Sequence, residues 1–191
     1  GCTVVLKPSP ESPLDAYLLG EIARAAGLPE GVLSILPADR EVSEYLVGHP
    51  GLDKVSFTGS VAAGKRVMEV AARQLTRVTL ELGGKSAAIV LPDADLATAV
   101  AGIVPAAWMN NGQACVAQTR ILLPRARYDE FADAFARAAA DLVVGDPLDP
   151  ATQVGPLVAR RQQARSLDYI RVGQEEGAKV LAGGGRPAGL E

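Results

Sequence analysis

The sequence predicts an α/β fold in which parallel strands are joined by helices. Through the first 82 residues, short runs of Val, Leu and Ile alternate with longer helical segments. Units of this length match the right-handed crossover that connects neighbouring parallel strands. The chain has 191 residues and is 48% hydrophobic, so it carries enough apolar side chains for a sizeable core.

Each element of the first part follows from a local signal. The run at residues 3–6 is an apolar strand, and Ser12-Pro13-Leu14-Asp15 has the pattern of a capping box with proline at the first helical position. Gly27 is expected to end that helix. The predicted elements are strands at 3–6, 32–36, 54–57 and 77–81, and helices at 13–26, 40–47 and 61–74.

The regular alternation of strands and helices changes after Gly83-Gly84, and this pair indicates a domain boundary. We therefore predict one domain at residues 1–82 and a second at 83–191. The second part is expected to contain strands at 86–90, 121–123 and 179–181, and helices at 96–108, 128–142 and 161–176. The loop NNGQAC, at residues 110–115, follows the first of these helices.

Charge and cysteine content argue against several classes of partner and site. The net charge is −3 and the charges are scattered, which argues against nucleic acid and an anionic membrane as partners. The apolar runs are too short to span a bilayer, and the first residues lack the pattern of a secretion signal. Two cysteines and one histidine cannot supply four zinc ligands, so no metal site is predicted. The low cysteine content indicates a reducing compartment, the cytoplasm.

Two positions in the first part could contact a ligand. In FTGS, the strand ends at Gly59-Ser60 and a helix follows at once, which brings backbone N–H groups and the positive helix end to one point suited to phosphate. The alternative is an ordinary turn with Ser60 as the helix cap. Lys7 follows the first strand, at the edge where α/β sheets bind ligands. A solvated lysine that ends a strand is the alternative there.

Cys115 and Glu81 could together perform acyl chemistry. Glu81 lies in LELGG at the end of a strand expected to be buried, where a carboxylate is costly unless it is used or paired. It could take a proton from a thiol or from water. Cys115 follows a glycine-containing loop, and a helical turn after it would favour the thiolate. The alternatives are an inert buried thiol at Cys115 and a cap or ion pair at Glu81.

Together these stretches resemble the NAD(P)-dependent aldehyde dehydrogenase superfamily. VTLELGGKSAAIVLPDADL is similar to the family's general-base segment, and NNGQAC to its nucleophile segment. FTGS, GDPLDPATQVGPL and YIRVGQEEGAKVLAGGG extend the resemblance over essentially the whole chain. The implied fold is a Rossmann-like cofactor domain with a parallel sheet, followed by the first part of an α/β catalytic domain.

The resemblance implies a role for each matching residue. Cys115 would add to the aldehyde to give a thiohemiacetal and then a thioester, and its backbone N–H would form half of the oxyanion hole. Glu81 would activate the water that releases the carboxylic acid. The residues implied to contact the cofactor are Lys7, Gly59, Ser60, Leu82, Gln162 and Arg165.

Two departures from the family pattern bear on the cofactor. NAD-preferring members often carry a glutamate where this chain has Pro10, and the family's glycines after the second strand are replaced by Asp39-Arg40-Glu41. We expect NAD as the main cofactor, with NADP also accepted. The resemblance further implies a small aldehyde substrate and a homodimeric or homotetrameric enzyme.

Both chain ends look cut, and the resemblance implies further segments on either side. The expectation is therefore that these 191 residues by themselves are inactive. Two other functions stay open at this point. One is a CoA-acylating semialdehyde dehydrogenase, in which CoA takes the acyl group in place of water. The other is a non-catalytic fragment that only binds nucleotide.

Overall fold

A computed structural model describes residues 1–187 and residue 189. Contacts divide the chain into two compact units, Gly1–Leu82 and Gly83–Glu191. Helices alternate with parallel strands in both, which confirms the predicted α/β fold class. Within the described residues, no helix combines the length and the apolar character that crossing a membrane requires.

The first unit contains four parallel strands. β1 pairs with β2, with Val4 opposite Leu33, and β3 pairs with β4, with Lys54 opposite Arg77. The sequence predicts one sheet, but hydrogen bonds form two separate pairs, because no strand among the described residues bridges them. The elements are β1 (Val4–Leu6), α1 (Leu14–Ala25), β2 (Leu33–Ile35), α2 (Arg40–Val47), β3 (Lys54–Gly59), α3 (Val61–Ala72) and β4 (Arg77–Leu82).

The sequence predicts the C-terminal end of α1 correctly and its N-terminal end wrongly. The capping box is wrong: Pro13 occupies the N-cap position, and no side chain caps the helix, since proline has no oxygen on its side chain. The C-terminal end is as predicted. Gly27 has φ +77°, its N–H donates to Arg24 O at 3.1 Å, and the N–H of Leu28 donates to Ala23 O at 3.0 Å. This pair of bonds is a Schellman motif.

α2 and α3 each begin at a capping side chain. Asp39 Oδ1 accepts a hydrogen bond from the N–H of Val42 at 3.0 Å, and Ser60 Oγ accepts one from the N–H of Ala63 at 3.2 Å. Each bond satisfies one of the N–H groups that a helix start leaves without a partner. The Asp39-Arg40-Glu41 stretch, which departs from the family's glycines, therefore starts a helix.

Among its described residues, the second unit has one strand pair and three α-helices. Its elements are β5 (Ala87–Ile89), α4 (Leu96–Trp108), β6 (Arg120–Leu122), α5 (Tyr128–Ala140) and α6 (Arg160–Glu175). β5 and β6 pair in parallel, with Ala88 opposite Ile121. The predicted strand at 179–181 is wrong. These residues pair with no strand of the described chain and expose 45% of Val180 and 56% of Leu181.

Phe131 of α5 is the centre of the core in the second unit. Its side chain is fully buried and packs with Val90 and Phe135. The guanidinium of Arg127 lies 4.7 Å from the centre of the Phe131 ring and donates to Ala94 O at 2.6 Å. Apolar side chains of α4 and β6 cover this cluster, so the helix before the NNGQAC loop and the strand after it are both anchored.

Candidate active site

The NNGQAC loop begins with three consecutive residues in the left-handed region. Asn110, Asn111 and Gly112 have φ values of 50°, 58° and 73°. Glycine adopts this conformation freely, and asparagine is among the few other residues that tolerate it. The backbone therefore leaves the helical path at the end of α4, before it reaches Cys115.

Two side chains of this loop bind a distant segment of the same unit. Asn111 Oδ1 accepts from the N–H of Gly155 at 2.7 Å, and Asn111 Nδ2 donates to Pro156 O at 3.2 Å. Gln113 Oε1 accepts from the N–H of Val158 at 3.1 Å. The loop and residues 155–158 are thus joined by three hydrogen bonds.

Cys115 is a free, exposed thiol. Its exposure contradicts the alternative of an inert buried cysteine. The expected helical turn is present only as one hydrogen-bonded turn around Cys115, from the N–H of Ala117 to Ala114 O at 3.2 Å, and no helix continues from it. The Cys115 N–H donates to no acceptor among the described residues. Thiol and N–H are therefore both open to a ligand.

Glu81 and Leu82 end β4 in the first unit. Thr58 lies opposite Glu81 and Gly59 opposite Leu82, so the ends of FTGS and LELGG meet at the carboxyl edge of one strand pair. Glu81 is exposed, so the argument from a costly buried carboxylate does not hold for this chain. Leu82 is half-buried.

Gly59 and Ser60 form a tight junction between β3 and α3. A Cβ atom at Gly59 would lie 2.5 Å from the ring of Phe57, so any side chain there would require this ring to move. Ser60 caps α3, which is the alternative that the sequence left open. The junction keeps its other property: the positive end of a twelve-residue helix faces the carboxyl edge of the strand pair.

The other predicted cofactor residues lie apart from this junction in the sequence. Lys7 directly follows β1, is half-buried, and donates from Nζ to Pro8 O at 2.7 Å. Gln162 and Arg165 lie in the first turns of α6, in the second unit. They are three residues apart and therefore neighbours on the helix surface. The guanidinium of Arg165 is 5.6 Å from the centre of the Tyr169 ring.

The hydrogen bonds of Asn111 and Gln113 are not predicted by any pattern in the sequence. The Asn-Asn-Gly sequence does signal a left-handed turn. Their partners lie 44 or 45 residues away, and local patterns carry no information on such pairs.

Known proteins are similar to this chain over nearly its whole length. A family model described as the aldehyde dehydrogenase family matches residues 1–191. A geranial dehydrogenase from Castellaniella defragrans is 52% identical over 186 residues, which is 97% of this chain and 39% of that protein. The chain therefore spans about two fifths of the length of this curated relative.

Two solved structures are also similar. The Mycobacterium tuberculosis aldehyde dehydrogenase complexed with NAD+ has a TM-score of 0.97 and 52% identity, covering 100% of this chain and 39% of that one. A cysteine-to-alanine variant of a Pseudomonas syringae aldehyde dehydrogenase, complexed with NAD+ and octanal, has a TM-score of 0.95 and 45% identity. That match covers 98% of this chain and 39% of the other.

Proposed function

This chain belongs to the aldehyde dehydrogenase family, and we propose that the protein containing it oxidises an aldehyde to a carboxylic acid with NAD(P)+. The observation that carries the proposal is Cys115: an exposed thiol whose backbone N–H donates to no acceptor among the described residues, three residues after a left-handed turn. The relatives named above are dehydrogenases of aldehydes, which supports the reaction class.

Cys115 is the proposed nucleophile. Its thiolate adds to the carbonyl carbon of the aldehyde, and the carbonyl oxygen becomes an alkoxide. The Cys115 N–H donates a hydrogen bond to this oxygen, as an oxyanion hole requires. The dinucleotide, when bound, supplies the hydride acceptor, and the acyl group is left on Cys115 as a thioester.

Glu81 is the proposed general base for the second half of the reaction. It accepts a proton from a water molecule as the water attacks the thioester carbon. The carboxylic acid leaves and the Cys115 thiolate is restored. The exposed carboxylate is accessible to water, which supports this role.

Six residues are proposed to hold the dinucleotide. The N-terminus of α3 and the bare backbone at Gly59 suit a pyrophosphate, since N–H groups and a positive helix end meet there with no side chain in the way. Two of the structures named above contain NAD+. The proposed contacts are Lys7, Gly59, Ser60, Leu82, Gln162 and Arg165.

We propose NAD as the main cofactor and NADP as an accepted one. Pro10 provides no carboxylate to repel a 2′-phosphate, and Lys7 provides a charge that attracts one. The preference for NAD should stay below about a thousandfold in kcat/KM, roughly 4 kcal/mol. The protein is further proposed to be a cytoplasmic homodimer or homotetramer, and its two free cysteines are in keeping with a reducing compartment.

The test is NADH formation by the protein that contains this chain, over a panel of aldehydes. Cys115→Ala should abolish turnover and leave cofactor binding near normal, whereas Cys2→Ala, the matched control at the other exposed cysteine, should keep it. Substantial turnover in Cys115→Ala would exclude the proposed nucleophile. Formation of acyl-CoA in place of free acid would show that CoA is the acyl acceptor.

A further inference from the structure

We propose that Asn111 and Gln113 are positioning residues that hold the Cys115 thiol and N–H in place by tying their loop to residues 155–158. This inference rests on the proposed function only in taking Cys115 as the nucleophile. Neither side chain needs to touch substrate or cofactor for it to hold.

The loop needs an external support because its own backbone does not favour its shape. Asn110 and Asn111 have positive φ, and two non-glycine residues in sequence rarely do. Such conformations persist when the surrounding structure imposes them, and they cluster at functional sites. Inside the loop, Asn110 Nδ2 donates to Gln113 O at 3.3 Å and the N–H of Gln113 donates to Asn110 O at 3.0 Å, and neither bond ties the loop to another segment.

Asn111 supplies that support with both polar atoms of its amide. Its oxygen accepts from a backbone N–H and its nitrogen donates to a backbone carbonyl, so the orientation of the amide is fixed by its partners. Gln113 adds a third bond, to the N–H of Val158. Three bonds to one segment define the direction of the loop as well as its distance from that segment.

The two residues directly before this segment are themselves held by hydrogen bonds. The N–H groups of Gln153 and Val154 both donate to Val143 O, at 2.8 and 3.0 Å, and the N–H of Gly145 donates to Val154 O at 3.1 Å. Gln153 Oε1 accepts from the N–H of Val143 at 3.0 Å. Residues 143–145 follow α5 closely, so the support extends from the core helix to the loop.

The position of the loop affects the reaction rate because the loop carries Cys115. Cys115 is two residues beyond Gln113, so a change in loop direction moves its thiol and its N–H together. A displacement of about 1 Å at a reacting group can cost roughly a hundredfold in rate. Loss of the ties should therefore lower kcat and leave the cofactor site, on other elements, almost unchanged.

The first experiment removes one tie without adding backbone strain. Asn111→Gly keeps the positive φ and loses both amide bonds, whereas the control Asn110→Gly keeps the same backbone freedom and loses no bond to residues 155–158. In the protein containing this chain, Asn111→Gly should lower kcat by about tenfold to a hundredfold, with KM for NAD+ within about twofold. Asn110→Gly should have a much smaller effect.

The second experiment uses Gln113 and tests for rescue. Gln113→Glu keeps an oxygen that can accept from Val158, and Gln113→Met has a similar length and offers no such oxygen. Gln113→Glu should turn over at least about fivefold faster than Gln113→Met. This pair decides the matter if Asn111→Gly fails to fold.

Three outcomes would overturn the positioning role: an unchanged kcat in Asn111→Gly, an equal loss in Asn110→Gly, or equal turnover of the two Gln113 variants. None of these would remove Cys115 as the nucleophile. Turnover by Cys115→Ala, in contrast, would remove the proposed function itself, so the two failures are distinguishable.

Discussion

At the scale of single residues, the loop before Cys115 balances strain against hydrogen bonds. A non-glycine residue in the left-handed region costs about 1 kcal/mol, and asparagine is among the least affected. A net hydrogen bond contributes about as much. The two bonds made by the Asn111 amide are therefore of the size needed to hold Asn110 and Asn111 in place.

Glu81→Gln separates the two halves of the proposed reaction. Glutamine has the same shape and cannot take a proton from water, so hydrolysis of the thioester should slow by about a hundredfold or more. Formation of the thioester should be nearly normal. Rapid-mixing measurements should therefore show a burst of NADH followed by a slow steady state. Loss of the burst would instead assign Glu81 to the thiol or to structure, and Glu21→Gln on α1 is the control.

Several candidate site residues could be proposed from the sequence because their signals are local. FTGS, LELGG and NNGQAC each place a chemical group within a few residues of a strand or turn. The solvent exposure of these residues could not be predicted from such local signals. Glu81 was expected to lie in a buried strand, and the burial of a strand depends on elements that are distant in sequence.

At the scale of elements, α3 and β4 approach closely at Gly64. A Cβ atom there would lie 2.6 and 2.9 Å from the two methyl carbons of Leu82. Gly64→Ala should therefore push Leu82 aside at a cost of about 1–3 kcal/mol, more than the ~1 kcal/mol that alanine gains in helix propensity. Hydrogen exchange of the α3 amides should show the loss of local stability.

The matched variant for this prediction is Leu82→Ala, which removes the methyl groups that meet the new Cβ. In that background Gly64→Ala should become neutral or stabilising, because only the gain in helix propensity remains. If Gly64→Ala costs the same in both backgrounds, the contact with Leu82 is not its cause.

The stability of the start of α4 should depend on pH through the carboxylate of Asp95. Hydrogen bonds from the side chain and the N–H of Thr98, at 2.6 and 2.8 Å, hold the pKa of Asp95 below its usual value. Because the folded-state pKa is lowered, this stabilisation is present above the ordinary value of about 4 and is lost as pH falls through the lowered pKa. Asp95→Asn keeps a capping oxygen and does not titrate.

The measurement is the unfolding free energy of wild type and of Asp95→Asn from about pH 6 to pH 2. The amount by which the unfolding free energy of wild type exceeds that of Asp95→Asn should be largest near neutral pH and should decrease in acid. A difference that does not change with pH would contradict the role of the carboxylate charge.

Element positions were largely predictable, because periodicity is a local property. The helices at 40–47 and 96–108 have the predicted bounds, and the other helices differ by one or two residues. The errors concern pairing and capping. The strand predicted at 179–181 contains one β-favouring residue, Val180, and has no partner among the described residues. Ser12 lies one residue too early to cap α1. A strand needs a neighbour, and no pattern within three residues specifies one.

At the scale of the whole molecule, exposed apolar surface is the main feature. The chain exposes 13834 Å². Two separate compact units with the same total mass would together expose roughly 10,000 Å². On α1 the large exposed side chains follow helical spacing, with exposures from 45% to 77%: Leu14, Tyr17, Leu18, Leu19 and Ile22. Surface of this extent is typical of faces that other segments or subunits cover.

Residues 1–191 expressed by themselves should therefore differ from the protein that contains them. We expect the isolated chain to bind a hydrophobic dye strongly, to associate at micromolar concentration, and to form no NADH with any aldehyde of the panel. The protein containing the chain should show the opposite behaviour. Turnover by the isolated chain near the enzyme median, roughly 10 per second, would show that the site needs no other segment.

The amide of Asn111 also bears on how the protein ages. Asn111 precedes Gly112, and in such a sequence the backbone nitrogen of glycine can attack the asparagine amide carbon and expel ammonia, which gives a cyclic imide that water opens to aspartate or isoaspartate. Here both atoms of the amide are bonded to Gly155 and Pro156, so the loop must open before this reaction can start. Once aspartate forms, the donor to Pro156 is gone and a negative charge faces a carbonyl oxygen. The bonds that shape the loop thus also set its chemical lifetime, and a single opening can become permanent damage.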